Sequence, residues 1–162
     1  MARLRSLRKT AVRGAKSAAS SRLVEQVAAV PFRRTSKGDL EFLLVSASSG
    51  RWIFPKGWLD AGRLPEDQAA VESFEEAGVK GRVLVPPVGT YINEGSRRSC
   101  CRVTVYLLEV AKELARWPEM AMRERCWATA EKAKAAFAGT PAGAVVEQAL
   151  RQARQRTSQG GA

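Results

Sequence analysis

Glu72, Glu75 and Glu76 stand three and four residues apart in a stretch that reads as helix. At about 100° of rotation per residue their carboxylates fall in one sector of the helix surface. Ala70, Phe74 and Ala77 fall opposite, which predicts an apolar back and an acidic front. Like charges at this spacing repel by about 0.2–0.5 kcal/mol per pair, so helix stability alone does not select them. A divalent cation turns that repulsion into attraction; a solvated acidic face paired with surface lysines is the alternative the spacing leaves open. The sequence contains no histidine. That excludes Ser-His-Asp and Cys-His nucleophilic catalysis and histidine-rich zinc sites, and a metal held here by oxygen atoms points to Mg²⁺ or Mn²⁺.

The helix itself has clear ends. Pro65 suits a first helical position, Glu66 and Asp67 sit near the positive end of the helix dipole, and Gly78 marks a stop. Upstream, the apolar runs Val27 to Phe32 and Phe42 to Val45, separated by Ser36, Lys37, Gly38 and Asp39, predict a strand hairpin. Arg51 to Phe54 continues as a short extended piece, and Pro55 and Gly57 are expected to break regular structure. Downstream, Val83 to Tyr91 and Cys101 to Val110 read as strands, followed by helices over about Ala130 to Phe137 and Ala142 to Arg154. In the last of these Val145, Val146, Ala149, Leu150 and Ala153 form a stripe suited to core packing.

The 162 residues suit one domain. We read 1–22 as a basic arm, 23–156 as the folded domain and 157–162 as a frayed polar end. Seven Lys and Arg stand in the first 22 positions before the first acid, Glu25, a composition shared by organelle leaders and flexible tails. Formal net charge is +11, which favours polyanionic partners, including nucleic acid through the arm. Three cysteines without a paired motif fit free thiols in a reducing compartment, read as the cytoplasm. No apolar run approaches the roughly 20 residues of a membrane span, so a soluble protein is expected.

The stretch from Gly57 to Val79 resembles the Nudix box, G-x5-E-x7-R-E-U-x-E-E-x-G-U. Gly57, Glu72, Glu75, Glu76, Gly78 and Val79 occupy the expected positions with unbroken spacing. Arg63 stands where the pattern has its first Glu, Val71 where it has Arg, and Ser73 where it has an apolar residue. The resemblance implies an α+β fold, an α/β/α sandwich with a mixed central sheet between helices. It also implies a metal-dependent hydrolase of phosphoanhydride bonds, with Mg²⁺ or Mn²⁺ held by Glu72, Glu75, Glu76 and the carbonyl of Gly57. Glu75 or Glu76 would take the proton of the attacking water, Glu75 being the reading adopted.

Beyond the box the likeness is to diphosphoinositol polyphosphate phosphohydrolases, carried by Arg51-Trp52-Ile53-Phe54-Pro55-Lys56-Gly57, by Glu75-Glu76-Ala77-Gly78-Val79-Lys80-Gly81, by Trp117-Pro118-Glu119 and by Arg123-Glu124-Arg125-Cys126-Trp127. It implies diadenosine polyphosphates or inositol pyrophosphates as substrates. Arg51, Lys56, Arg98 and Arg123 are the expected phosphate-binding cations, ahead of Arg97 and Arg125. Trp52 and Trp58 suit stacking on a base or core packing; Trp117 and Trp127 are assigned to packing. Two further readings are a non-catalytic ligand sensor, motivated by Arg63 and Val71, and an RNA 5′-pyrophosphohydrolase. A monomer or homodimer is expected.

Overall fold

The computed structural model describes residues 23–94 and 100–159. The elements are β1 (Val24–Arg34), β2 (Leu40–Ser46), β3 (Trp52–Ile53), β4 (Lys56–Trp58), α1 (Pro65–Ala77), β5 (Val79–Glu94), β6 (Cys100–Glu113), β7 (Arg125–Ala128), α2 (Ala130–Ala136) and α3 (Gly143–Gln159). The path through the sheet is β3-β2-β1-β6-β5, with β4 added to β1 and β7 to β2. The sheet is mixed: β1 runs parallel to β6 and antiparallel to β2 and β4.

Alternation along the central strand explains the layers. Ala28, Val30 and Phe32 of β1 face one core, completed by Val146, Ala149, Leu150 and Ala153 of α3. Val27 and Ala29 face the other, with Ala69 and Ala77 of α1. A strand covered on both faces needs the near-continuous apolar run that β1 has. Each fully buried Val, Leu or Phe contributes roughly 1.5–3 kcal/mol of transfer free energy. The result is the α+β architecture expected, with α1 on one side of the sheet and α2 and α3 on the other.

Four expectations need correction. Pro55 and Gly57 do not break the sheet, because β2 pairs only with the far end of β1 and leaves its beginning open as an edge. Lys56–Trp58 fills that edge, Gly57 opposite Val27, and the Pro55 carbonyl accepts the Ala29 N–H at 3.0 Å. The inward stripe of α1 is not Ala70, Phe74 and Ala77 but Ala69, Ser73 and Ala77, each 0% exposed. Small side chains let the helix lie close to the sheet, and Phe74 is left half-buried under the Lys80 ammonium, 4.9 Å from its ring centre. The Ser73 hydroxyl donates to the Ala69 carbonyl at 3.0 Å, so a polar residue in an apolar position is satisfied within its own helix.

β7 was not foreseen. Finally, α3 runs to Gln159, so 157–159 are helical rather than a frayed end: the Thr157 hydroxyl donates to Arg154 and Ala153 carbonyls, and Arg34 Nη2 donates to the Thr157 carbonyl at 2.9 Å. The basic arm 1–22 and residues 160–162 lie outside the described residues. Among the described residues no helix is long and apolar enough to cross a membrane, and the cysteines are free thiols.

Candidate active site

α1 begins and ends as its sequence dictates. Pro65 occupies the first turn with Glu66 and Asp67, and Gly78 closes the helix at φ 65, its N–H returning to the Phe74 carbonyl. Only glycine adopts that left-handed conformation at little cost, and a β-carbon there would also strike Trp117 and Arg125. Arg125, weighed as a substrate cation, instead clamps this end of the helix. It donates to the Ala77 and Leu114 carbonyls at 2.9 and 2.8 Å and stacks on the Trp117 ring.

Held this way, α1 turns Glu72 and Glu76 towards β4, 9% and 5% exposed, with Glu75 exposed beside them. Together with Lys56, Gly57, Trp58 and Arg123 they line an open cleft of about 530 Å³. Gly57 is required by contact: a β-carbon there would overlap the carboxyl carbon and both oxygens of Glu72. Glu76 is held at both oxygens, Arg123 Nη2 donating to Oε1 at 2.6 Å and the Lys56 N–H to Oε2 at 3.2 Å. Arg123 is itself fixed by Glu119 and by the Ser46 carbonyl.

Burial dominates the electrostatics. It pushes the Glu76 carboxyl up to about 7, against the opposing pull of Arg123 and the Lys56 N–H, and Glu72 and Glu119 push it in the same direction as burial. Glu72 is likewise raised by burial, opposed by its hydrogen bond from Gln68 and reinforced by Glu75, Glu119 and Asp60. The cleft thus concentrates carboxylates around Arg123, whose charge already serves both Glu76 and Glu119.

These residues fit a hard divalent cation. The donors are all oxygen, the negative charge exceeds what the neighbouring cations balance, and the side-chain oxygen of Gln26, on the cleft wall, is buried with no donor among the described residues. Among the described residues no three acidic or cysteine side chains converge into a ready-made cage. A cation bound here would be held by Glu72, Glu75, Glu76 and the Gly57 carbonyl, and would have to compete with Arg123 for Glu76.

Of the expected phosphate-binding cations, Lys56 and Arg123 reach the cleft. Arg51 is exposed in the turn before β3 and is not among the cleft residues. Arg97 and Arg98 lie outside the described residues. Trp58 stands at the cleft rim, 53% exposed, whereas Trp52 packs against the core. Trp117 donates to the Glu76 carbonyl and Trp127 lies under the Arg33 guanidinium, both serving packing. Sequence reading missed Gln26, Gln68, Asp60 and Glu119. The signal for Glu119 was its i, i+4 spacing to Arg123, for Gln68 its i, i+4 spacing to Glu72 and for Asp60 its i, i+3 spacing to Arg63; nothing local marks Gln26.

The sequence matches the family model of the NUDIX domain over residues 23–149. It is 38% identical over 102 residues to Nudix hydrolase 16, mitochondrial, of Arabidopsis thaliana, a match covering 58% of this chain and 56% of that protein. It is 37% identical over 102 residues to diphosphoinositol polyphosphate phosphohydrolase 3-beta of Bos taurus, covering 60% of each. The chain spans about half the length of the Arabidopsis relatives it matches. Its fold is that of the C. elegans Ap4A hydrolase binary complex, with TM-score 0.66 at 21% identity, covering 82% of this chain and 99% of that one.

Proposed function

Because the chain belongs to the NUDIX family, we propose that it hydrolyses a phosphoanhydride bond in a polyphosphorylated small molecule, with Mg²⁺ or Mn²⁺ held by Glu72, Glu75, Glu76 and the Gly57 carbonyl. The observation that carries this reading is the pair of buried glutamates, Glu72 and Glu76, whose carboxyls burial pushes above the usual range, on one wall of a cleft that Lys56 and Arg123 also line. Arg123 pairs with Glu76, but among the described residues Glu72 has only the Gln68 amide as a donor, and burying a carboxylate without a matching cation is costly, a cost that a fold carries when a ligand offsets it.

A bound dication neutralises phosphate charge and polarises the attacking water. The chain's own side chains do the remainder. Glu75, exposed on the cleft wall, accepts the water proton as the water oxygen bonds to phosphorus and the bridging P–O bond breaks. Glu76, engaged by Arg123 and Lys56, holds the site's geometry and is the alternative base. The Lys56 ammonium and Arg123 guanidinium face the phosphate charge, including that of the departing phosphate.

Diadenosine polyphosphates and inositol pyrophosphates are the proposed substrates. Relatives named as an Ap4A hydrolase and a diphosphoinositol polyphosphate phosphohydrolase support this range, and the exposed Trp58 at the rim offers a stacking face to a base. A ligand sensor without turnover is the second reading, favoured by the Arg123–Glu76 pair. The RNA reading and any nucleic-acid contact rest on the composition of 1–22. The cytoplasm remains the proposed compartment, although several relatives carry "mitochondrial" in their names.

A phosphate-release screen with Mg²⁺ and Mn²⁺ across dinucleoside polyphosphates, nucleoside triphosphates and inositol pyrophosphates tests the proposal. Turnover that is lost in Glu75→Gln supports it; binding without turnover supports the sensor.

A further inference from the structure

We propose that Arg63, acting through Gln68, fixes the orientation of the Glu72 carboxylate, which makes Arg63 and Gln68 positioning residues for the cation site. The inference rests on Glu72 being a cation ligand, as read above. Gln68 is 3% exposed and lies between the two. Its side-chain oxygen accepts from Arg63 Nη1 at 2.9 Å and from the Asp60 N–H at 3.4 Å, and its amide nitrogen donates to Glu72 Oε1 at 2.8 Å. Arg63 Nη1 is anchored in turn on Asp60 Oδ2 at 2.8 Å.

The two ends of a glutamine amide are nearly identical in shape and opposite in hydrogen-bonding sense, so its neighbours decide which end points where. A guanidinium only donates. Arg63, the closer of the two donors on the amide oxygen with the Asp60 N–H the longer, draws that oxygen to itself and leaves the NH₂ to face Glu72, where a carboxylate needs a donor. Glu72 Oε1 is thereby engaged on the helix side, and the carboxylate is seated against the Gly57 α-carbon. The box pattern places Glu at 63. An acid there would remove the stronger donor from the amide oxygen and compete with Glu72 for the amide NH₂. Arg63 and Gln68 thus belong together: the departure at 63 is matched by the residue at 68 in a hydrogen-bond relay, Asp60 to Arg63 to Gln68 to Glu72.

Titration of Mn²⁺ into the full chain, followed by calorimetry, tests the relay without turnover. Arg63→Met removes a positive charge from beside a dication, so Coulomb forces alone predict tighter binding. The relay predicts binding about tenfold weaker. Arg63→Lys, which also only donates, is expected to keep most of the affinity. In a Gln68→Leu background the further change Arg63→Met is expected to have little effect, because the link it acts through is gone. Melting of the metal-free variants checks that each folds, and Arg63, 38% exposed at its side chain, is a tolerant site. Arg63→Met binding Mn²⁺ as tightly as the parent, or losing affinity equally with and without Gln68, overturns the relay alone. A parent chain that binds no Mn²⁺ overturns the cation site and the relay with it.

Discussion

The Gly57 α-carbon and the Glu72 carboxylate are in direct contact, and no side chain larger than hydrogen fits between them. Gly57 reaches that place because β4 pairs with the open edge of β1, and Glu72 because α1 lies close over Ala69, Ser73 and Ala77. Gly57→Ala must push Glu72 aside. We expect turnover to fall about 10²-fold, the usual result of a misplacement near 1 Å, while circular dichroism and melting stay close to the parent. Steady-state kinetics with the best substrate from the release screen check this.

Glu76 retains its proton to about pH 7 in the folded, metal-free chain, against 4.5 ordinarily. Between those values the unfolded chain has released a proton that the folded chain keeps, so stability falls as pH rises through that window. Glu72 is displaced in the same direction. The chelated protein is expected to be about 1–3 kcal/mol less stable at pH 8 than at pH 4.5 on this account. Glu76→Gln should flatten that slope. Denaturant melts against pH, in parent and variant, measure it.

Metal should reverse the pattern, because a cation binds the deprotonated carboxylates and competes with their protons. At about a hundredfold over its dissociation constant Mn²⁺ is expected to add roughly 2.7 kcal/mol at pH 8, and distinctly less at pH 5.5. Melting temperature against Mn²⁺ concentration at the two pH values gives the comparison. Equal stabilisation at both would point to a site away from Glu72 and Glu76.

Gln26 carries a buried acceptor with no donor among the described residues, on the cleft wall. An unmade hydrogen bond of this kind costs about 1–3 kcal/mol. Gln26→Met should therefore leave the ligand-free chain as stable as the parent or up to about 1 kcal/mol more so, and raise KM as the cleft loses an acceptor for substrate or ordered water. A stability loss with unchanged KM would assign Gln26 to the fold instead.

The sequence made α1 legible to the residue, since proline and glycine mark its two ends and both signals are local. The gathering of Glu72, Glu75 and Glu76 on one side followed from helical periodicity alone. What escaped depended on distant partners. Pro55 and Gly57 look like breakers until the unpaired edge of β1 is known. Phe74 looks like core by size, whereas the sheet selects the small Ala69 and Ser73. Helical spacing puts Gln68 beside Glu72, but the contacts of Gln68 with Arg63 and the Asp60 N–H are set by the loop before α1, which no periodicity encodes. Arg125 carries the charge of a phosphate ligand, yet the carbonyls at the end of α1 claim it.

The most direct measurement is anomalous scattering from crystals grown with Mn²⁺. We expect a peak in the cleft between Gly57 and the carboxylates of Glu72, Glu75 and Glu76, with Arg123 drawn away from Glu76, and the peak lost in Glu72→Gln. A chain that turns over polyphosphate while its Mn²⁺ sits elsewhere, or while Arg123 keeps its grip on Glu76 and all three glutamates stay without metal, would contradict the account.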